Sequence, residues 1–201
     1  MPVVLNLAKG QTMQMRGDLK FSVIMLGLGW DERKTPGAPI DVDPIVIGRN
    51  ANGDTTDGTW VCFYNQPKND WCQHSGDNTD GAGELDASGD DERMWIDLTK
   101  VPKEIVSIDL VINIFEAKQR NETFGDLSRG VIRLVNVPKT GDTQGDEKIR
   151  VDLAADQYFE ATGFLAITLK RAGPAWEVTR KDLTDPRWAD TMTAANANNK
   201  A

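Results

Sequence analysis

IVSIDLVINIF, residues Ile105 to Phe115, reads as the longest buried strand of the chain and as the centre of a sheet. Its β-branched residues favour extended backbone, and it is too continuously apolar for a strand with one wet face. Working outward, similar signals recur at short intervals. FSVIMLGL, Phe21 to Leu28 and closed by Gly29, predicts a second mid-sheet strand, MWIDL at Met94 to Leu98 another, and LSRGVIRLV at Leu127 to Val135 an alternating one. FLAITLKR (Phe164 to Arg171) and AWEVT (Ala175 to Thr179) form a pair around Gly173-Pro174. Asn52-Gly53 predicts a hairpin over residues 45 to 64 with an elaborated tip. Val3 to Leu7 and Gln11 to Met15 suggest two short antiparallel strands, and Ile149 to Leu153 one more. Helix is scarce: residues 116 to 124 form a loop or a single helical turn, and Ala154 to Phe159 a short helix. Short strands divided by Gly, Pro, Asn and Asp predict an all-β, antiparallel β-sandwich. It occupies residues 1–182, and the low-complexity tail 183–201 is expected to be disordered unless a partner holds it.

Composition narrows function by exclusion. With 201 residues, one domain is the simplest division. Thirty-one acids against 23 bases give a net charge of -8, which argues against nucleic acid as a partner. There is neither a run of 18 apolar residues nor a basic, apolar leader, so no membrane insertion and a cytoplasmic location are expected. Cys62 and Cys72 are too few for a disulfide scaffold or a four-thiolate zinc site and are expected to be reduced. His74, the single histidine, lies in no nucleophile-elbow pattern, which argues against Ser-His or Cys-His hydrolysis. Trp30, Trp60, Trp95 and Trp176 are read as packing residues.

The chemistry concentrates in HSGDNTDGAGELDASGDDE, His74 to Glu92, which has seven acids, four glycines and no Lys or Arg. Such a stretch has almost no apolar surface to bury, and its like charges repel. It is either a solvated loop or a set of oxygen ligands for a hard divalent cation. Asp41 and Asp43, two apart on an extended segment, point to one face and can approach one ion together, or stand exposed on a strand edge. Asn50, Asn52, Asp54 and Asp57 resemble the start of an EF-hand loop, but the glycine and glutamate of that loop are missing, so they are turn formers.

Together these pieces resemble the TerD family of tellurium-resistance and stress-response proteins. The resemblance is carried by Gly27-Leu28-Gly29-Trp30-Asp31, Asp41-Val42-Asp43, Phe63-Tyr64-Asn65, and His74 to Asn78 leading to Gly89-Asp90-Asp91-Glu92. Phe124-Gly125 and Ile132 to Asn136 extend it, so it spans roughly residues 3 to 180. It implies a β-sandwich that binds Ca2+, typically two ions, in acidic loops at one end, and no known enzymatic reaction. The implied ligands are Asp31, Asp41, Asp43, Asp77, Asn78, Asp90, Asp91 and Glu92. The segment between Asn78 and Gly89 is longer than the family's usual pattern, which adds Asp80 to the candidates and leaves open whether Asp80, Glu84 or Asp86 supplies a ligand. The function that follows is a calcium-ordered binding or scaffold module with a protein partner or self-association. The alternatives are a metal-dependent hydrolase using the same carboxylates and a structural or assembly component acting through its tail or exposed edges, suggested by the tail and Trp188.

Overall fold

In a computed structural model, which describes residues 7–15, 22–31, 37–82, 88–153 and 156–199, the predicted strands assemble into two antiparallel sheets. In chain order they are β1 (Thr12–Met15), β2 (Val23–Trp30), β3 (Val42–Arg49), β4 (Val61–Cys62), β5 (Cys72–His74) and β6 (Glu92–Asp97), followed by β7 (Ser107–Ile114), β8 (Gly130–Val137), β9 (Asp146–Asp152), β10 (Gly163–Ala172) and β11 (Ala175–Leu183). One sheet runs β1-β11-β10-β7-β3-β4 and the other β5-β6-β2-β8-β9. The opening run is therefore an interior strand, paired on both sides with β3 and β10. The Phe21–Leu28 run becomes β2, interior to the second sheet between β6 and β8.

Period-two alternation explains the layers. Ile24, Leu26 and Leu28 of β2, Ile108, Leu110 and Ile112 of β7, and Ile132 and Leu134 of β8 face each other in one buried cluster between the sheets. The opposite faces are apolar as well: Val23, Met25, Val135 and Val137 pack with Trp95 outside one sheet, and Ile45, Ile47, Val111 and Leu165 lie outside the other. All six tryptophans are at most 9% exposed, as packing residues should be.

The tail does not follow the expectation of disorder. Beyond β11 the chain makes a 3-10 turn at Pro186–Trp188 and a helix, which covers Thr191–Asn196. These lay Trp188, Ala194 and Ala195 against the apolar outer face of β3, β7 and β10. Trp188 is 1% exposed and so is part of this packing rather than a surface for assembly. The anchor is Arg49, fully buried at the end of β3, whose guanidinium donates to the carbonyls of Ala194, Ala195 and Ala197 and to Asp109. Carbonyls at a helix end have no partner inside the helix, and here an arginine from the sheet supplies it. Asn199 adds a hydrogen bond to each oxygen of Asp109.

Other corrections are smaller. Thr12–Met15 pairs with β11, while residues 3–6 of its expected neighbour, like Phe21 and the loop at 32–36, lie outside the described residues. The 45–64 hairpin forms, and Asn50 Oδ1 fixes its tip by accepting from the Asn52 and Asp54 N–H groups, as a turn former does. The turn expected within 116–124 is a four-residue helix, Ala117–Arg120, and that expected at 154–159 is a 3-10 turn at Asp156–Tyr158, with 154 and 155 undescribed. No described helix is long and apolar enough to cross a membrane.

Candidate metal centre

Three segments converge at one end of the sandwich. Asp41 and Asp43 stand at the start of β3, Asp77 follows β5, and Glu92 opens β6. One oxygen from each of Asp41, Asp43 and Asp77 lies within 4.8 Å of the others, close enough for one cation to reach all three. Asp41 and Asp43 are 7% and 2% exposed and Glu92 is fully buried, whereas Asp77 is exposed. Oδ1 of Asp41 and Oδ1 of Asp43 are buried with no hydrogen-bond partner among the described residues. Buried acceptors left so are costly, about 1–3 kcal/mol each and more when charged.

The electrostatics agree. Burial, then the charges of Asp77 and Glu92, push Asp41 up to about 6, although Arg120 pulls the other way. Burial, then Asp41, Glu92 and Asp77, push Asp43 up to about 8. Glu92 is raised chiefly by burial, against the pull of His74 and of the Asn78 N–H, which donates to Oε1 at 2.7 Å. His74 Nδ1 accepts from the Gly76 N–H, and Nε2 lies 3.1 Å from Glu92 Oε2. That contact has ion-pair distance but is not aligned as a hydrogen bond. The histidine is thereby a support for Glu92. Tyr64, whose hydroxyl is raised by burial and by Asp43, Asp77 and Asp41, borders the same group.

The remaining candidates have other arrangements. Asp91 Oδ2 accepts from the Trp30 N–H at 2.8 Å, and the Asp91 N–H donates to Leu28, tying the loop to β2. Asn78 Oδ1 accepts from the Asp80 and Gly81 N–H groups, and Asp80 Oδ1 from that of Ala82, so both hold local turns. Asp77, Asn78, Asp80 and Asp91 nevertheless line a second, shallow cavity of about 380 Å3 beside the first cluster. Asp90 is not in the acid cluster. Its Oδ1 accepts from Arg133, and its Oδ2 from Arg133 and Arg93, at 2.6 to 2.8 Å. Burial pushes Asp90 up, but the hydrogen bonds from Arg133 and Arg93 outweigh it and hold the carboxyl below its ordinary value. Asp31 forms an exposed two-point pair with Arg129, which lowers it. Glu84 and Asp86 lie outside the described residues.

The glycines of the GLGWD segment explain how the loop reaches this position. A Cβ on Gly27 would come within 2.5 Å of the Asp90 carboxylate, and one on Gly29 within 1.8 Å of the Gly89 carbonyl. Only bare backbone at both positions lets residues 89 and 90 lie on β2. Sequence reasoning missed Asn113, which is opposite Asp43 in the β3–β7 register, 3% exposed, and has an unpartnered Oδ1 among the described residues.

Comparison with known proteins places this arrangement in context. The TerD domain model matches residues 3–181. General stress protein 16U of Bacillus subtilis (strain 168) is 36% identical over 179 residues, 87% of this chain and 88% of that protein. Tellurium resistance protein TerD of Alcaligenes sp is 36% identical over 156 residues, 77% and 76% of the two chains. Among solved structures, a homologue of telluride resistance protein (TerD) from Streptomyces coelicolor A3(2) superposes with a TM-score of 0.69 at 18% identity, covering 88% of this chain and 96% of that one, a likeness of fold.

Proposed function

The chain belongs to the TerD family, and from that premise we propose that it is a calcium-binding scaffold module of the tellurium-resistance and stress-response type. The observation that carries this is the pair of buried oxygens on Asp41 and Asp43, without a hydrogen-bond partner among the described residues, beside Asp77. Carboxylate oxygens in glycine-rich loops are a hard, flexible donor set, which suits calcium better than the rigid octahedron of magnesium or the softer ligands of zinc. Asp41, Asp43, Asp77 and Glu92 would hold one ion. Asp77, Asn78, Asp80 and Asp91 would contribute to a second. Each bound ion would supply the positive charge that these oxygens lack.

The chain's own residues do the positioning. His74 and the Asn78 N–H orient Glu92, Trp30 fixes Asp91, and Arg93 with Arg133 neutralises Asp90 beneath the loop. With the loop ends so fixed, the bound ions would make this end of the sandwich a surface for a protein partner or a second copy, in the cytoplasm. We read the protein as a non-enzyme, because its single histidine is engaged with Gly76 and Glu92 and the cluster is made of carboxylates. Calcium calorimetry tests the reading. Saturable binding together with a rise in melting temperature is expected. Neither heat nor a rise in melting temperature would sink it.

A further inference from the structure

Next to the acid cluster, on the outer face of β3 and β7, lies a cavity of about 470 Å3 that the cation reading does not use. Three aromatic rings border it, with Phe63 and Tyr64 5.3 Å apart at 86° and Tyr64 and Phe115 5.9 Å apart at 88°. Rings set edge to face in this way present a corner of aromatic surface, and each ring is only partly buried. Asp43 and Asn113, neighbours across the β3–β7 ladder, also line the cavity. They are 2% and 3% exposed, and Oδ1 of each has no hydrogen-bond partner among the described residues. Glu116 and Asp190 add negative charge and Lys118 a positive one. The last wall, residues 189–192, comes from the C-terminal segment, which lies beyond the family match ending at 181.

Each ligand class meets these groups differently. An anion is repelled by the acids, and an uncharged apolar group leaves both buried acceptors without donors, at about 1–3 kcal/mol apiece. A quaternary ammonium satisfies aromatic faces but has no N–H to give. A primary ammonium on an aliphatic stem satisfies both, since its charge is attracted to ring faces and its three N–H groups are donors only. We infer that this cavity is a binding site for a primary alkylammonium group, that of a lysine side chain or a free amine, with Asn113 Oδ1 as its principal acceptor and Phe63, Tyr64 and Phe115 as its walls. The inference does not depend on calcium, because Asn113, Glu116 and the rings remain available whichever ion Asp43 meets, while Asp190, whose oxygens accept from Thr193, adds only its charge.

The full chain, in EDTA and again in calcium, is titrated with n-butylammonium at constant ionic strength and followed by NMR at the Asn113 side-chain amide and the Phe115 ring. Saturable shifts at both are expected, and shifts that grow linearly without saturating would overturn the site. n-Butanol and tetramethylammonium are the controls. The site is overturned if n-butanol matches n-butylammonium, and the Asn113 role is overturned if tetramethylammonium binds as tightly. Asn113→Leu should weaken n-butylammonium roughly tenfold or more, the loss of one buried hydrogen bond to a charged donor. Unchanged affinity in a folded Asn113→Leu protein contradicts the assignment. Should that variant not fold, Phe115→Leu, expected to weaken binding severalfold, is read the same way. Nα-acetyl-lysine N-methylamide distinguishes the sources. Binding at least as tight as that of the simple amine assigns a protein lysine, and weaker binding assigns a free amine, either supporting the site.

Discussion

Asp43 and Asp109 lie on neighbouring strands of one sheet, on the same outer face, and both are buried, at 2% and 0% exposure. Their surroundings are opposite. Asp109 accepts from Arg49 and Thr168 and from Asn199 of the C-terminal segment, so its charge is compensated from three directions. Asp43 has an oxygen with no donor among the described residues, and Asp41, Glu92 and Asp77 for company. A buried charge survives only if it is paired, neutralised by a proton or bound to a cation. One end of the sheet has its cation built in as Arg49. The other has none, which is where the proposed calcium would sit.

The largest effect that could break this contrast is at the paired end. Arg49→Met removes the counter-charge of Asp109 and the cap of the C-terminal helix, and is expected to cost about 3–5 kcal/mol of unfolding free energy while leaving calcium affinity of the folded protein unchanged. Denaturant melts with and without calcium check this, and a loss below 1 kcal/mol would remove the distinction. The unpaired end should respond in the opposite sense. Asp43→Asn removes a repelled charge, so the metal-free protein should gain roughly 1–3 kcal/mol at pH 8 while losing the part of its calcium response that comes from the ion Asp43 would hold.

A pH profile sharpens the same difference. A carboxyl whose pKa is raised by folding favours the native state while protonated. Its contribution is complete below 3.8 and is lost as pH rises through about 6 for Asp41 and about 8 for Asp43. The metal-free melting temperature should therefore fall between pH 5 and 8 by several degrees, and calcium should restore most at the upper end, with proton release visible as a buffer-dependent heat. A melting temperature that rises over this range without metal would contradict the site's electrostatics. The smallest effect is expected at Asp31, whose exposed pair with Arg129 makes Asp31→Asn a change of at most about 1 kcal/mol in chemical melts.

The strands were legible because alternation and apolar runs are local signals, and β2 and β7 took the interior places that their sequences call for. The pieces of the acid cluster were legible one by one, Asp41 and Asp43 two residues apart and Asp77 and Glu92 in a stretch without bases, but that residues 41–43 and 77–92 come together was implied only by the family resemblance. What sequence hid was pairing across the fold. Asp90 and Asp31 look like ligands until Arg133, 43 residues on, and Arg129, 98 residues on, come to meet them. Tail order depends similarly on Arg49 from far upstream, though Asp185-Pro186 and Asp190 before Thr193 are helix-start signals that were available. Asn113 could have been found as well: Ser107, Asp109 and Asn113 interrupt an apolar strand at odd positions, marking a face with polar work to do.

The most direct test of the central claim is a calcium titration by calorimetry at pH 8, run in parallel on the unaltered chain and on Asp43→Asn, with melting temperature followed in both. The account predicts saturable binding and a stabilisation of about 2.7 kcal/mol at a hundred times Kd in the first, and in the second the loss of the ion that Asp43 would hold, seen as fewer ions bound and a smaller stabilisation, with a higher melting temperature than the first when both are metal-free. Equal calcium binding by the two proteins, or none by either, would contradict it.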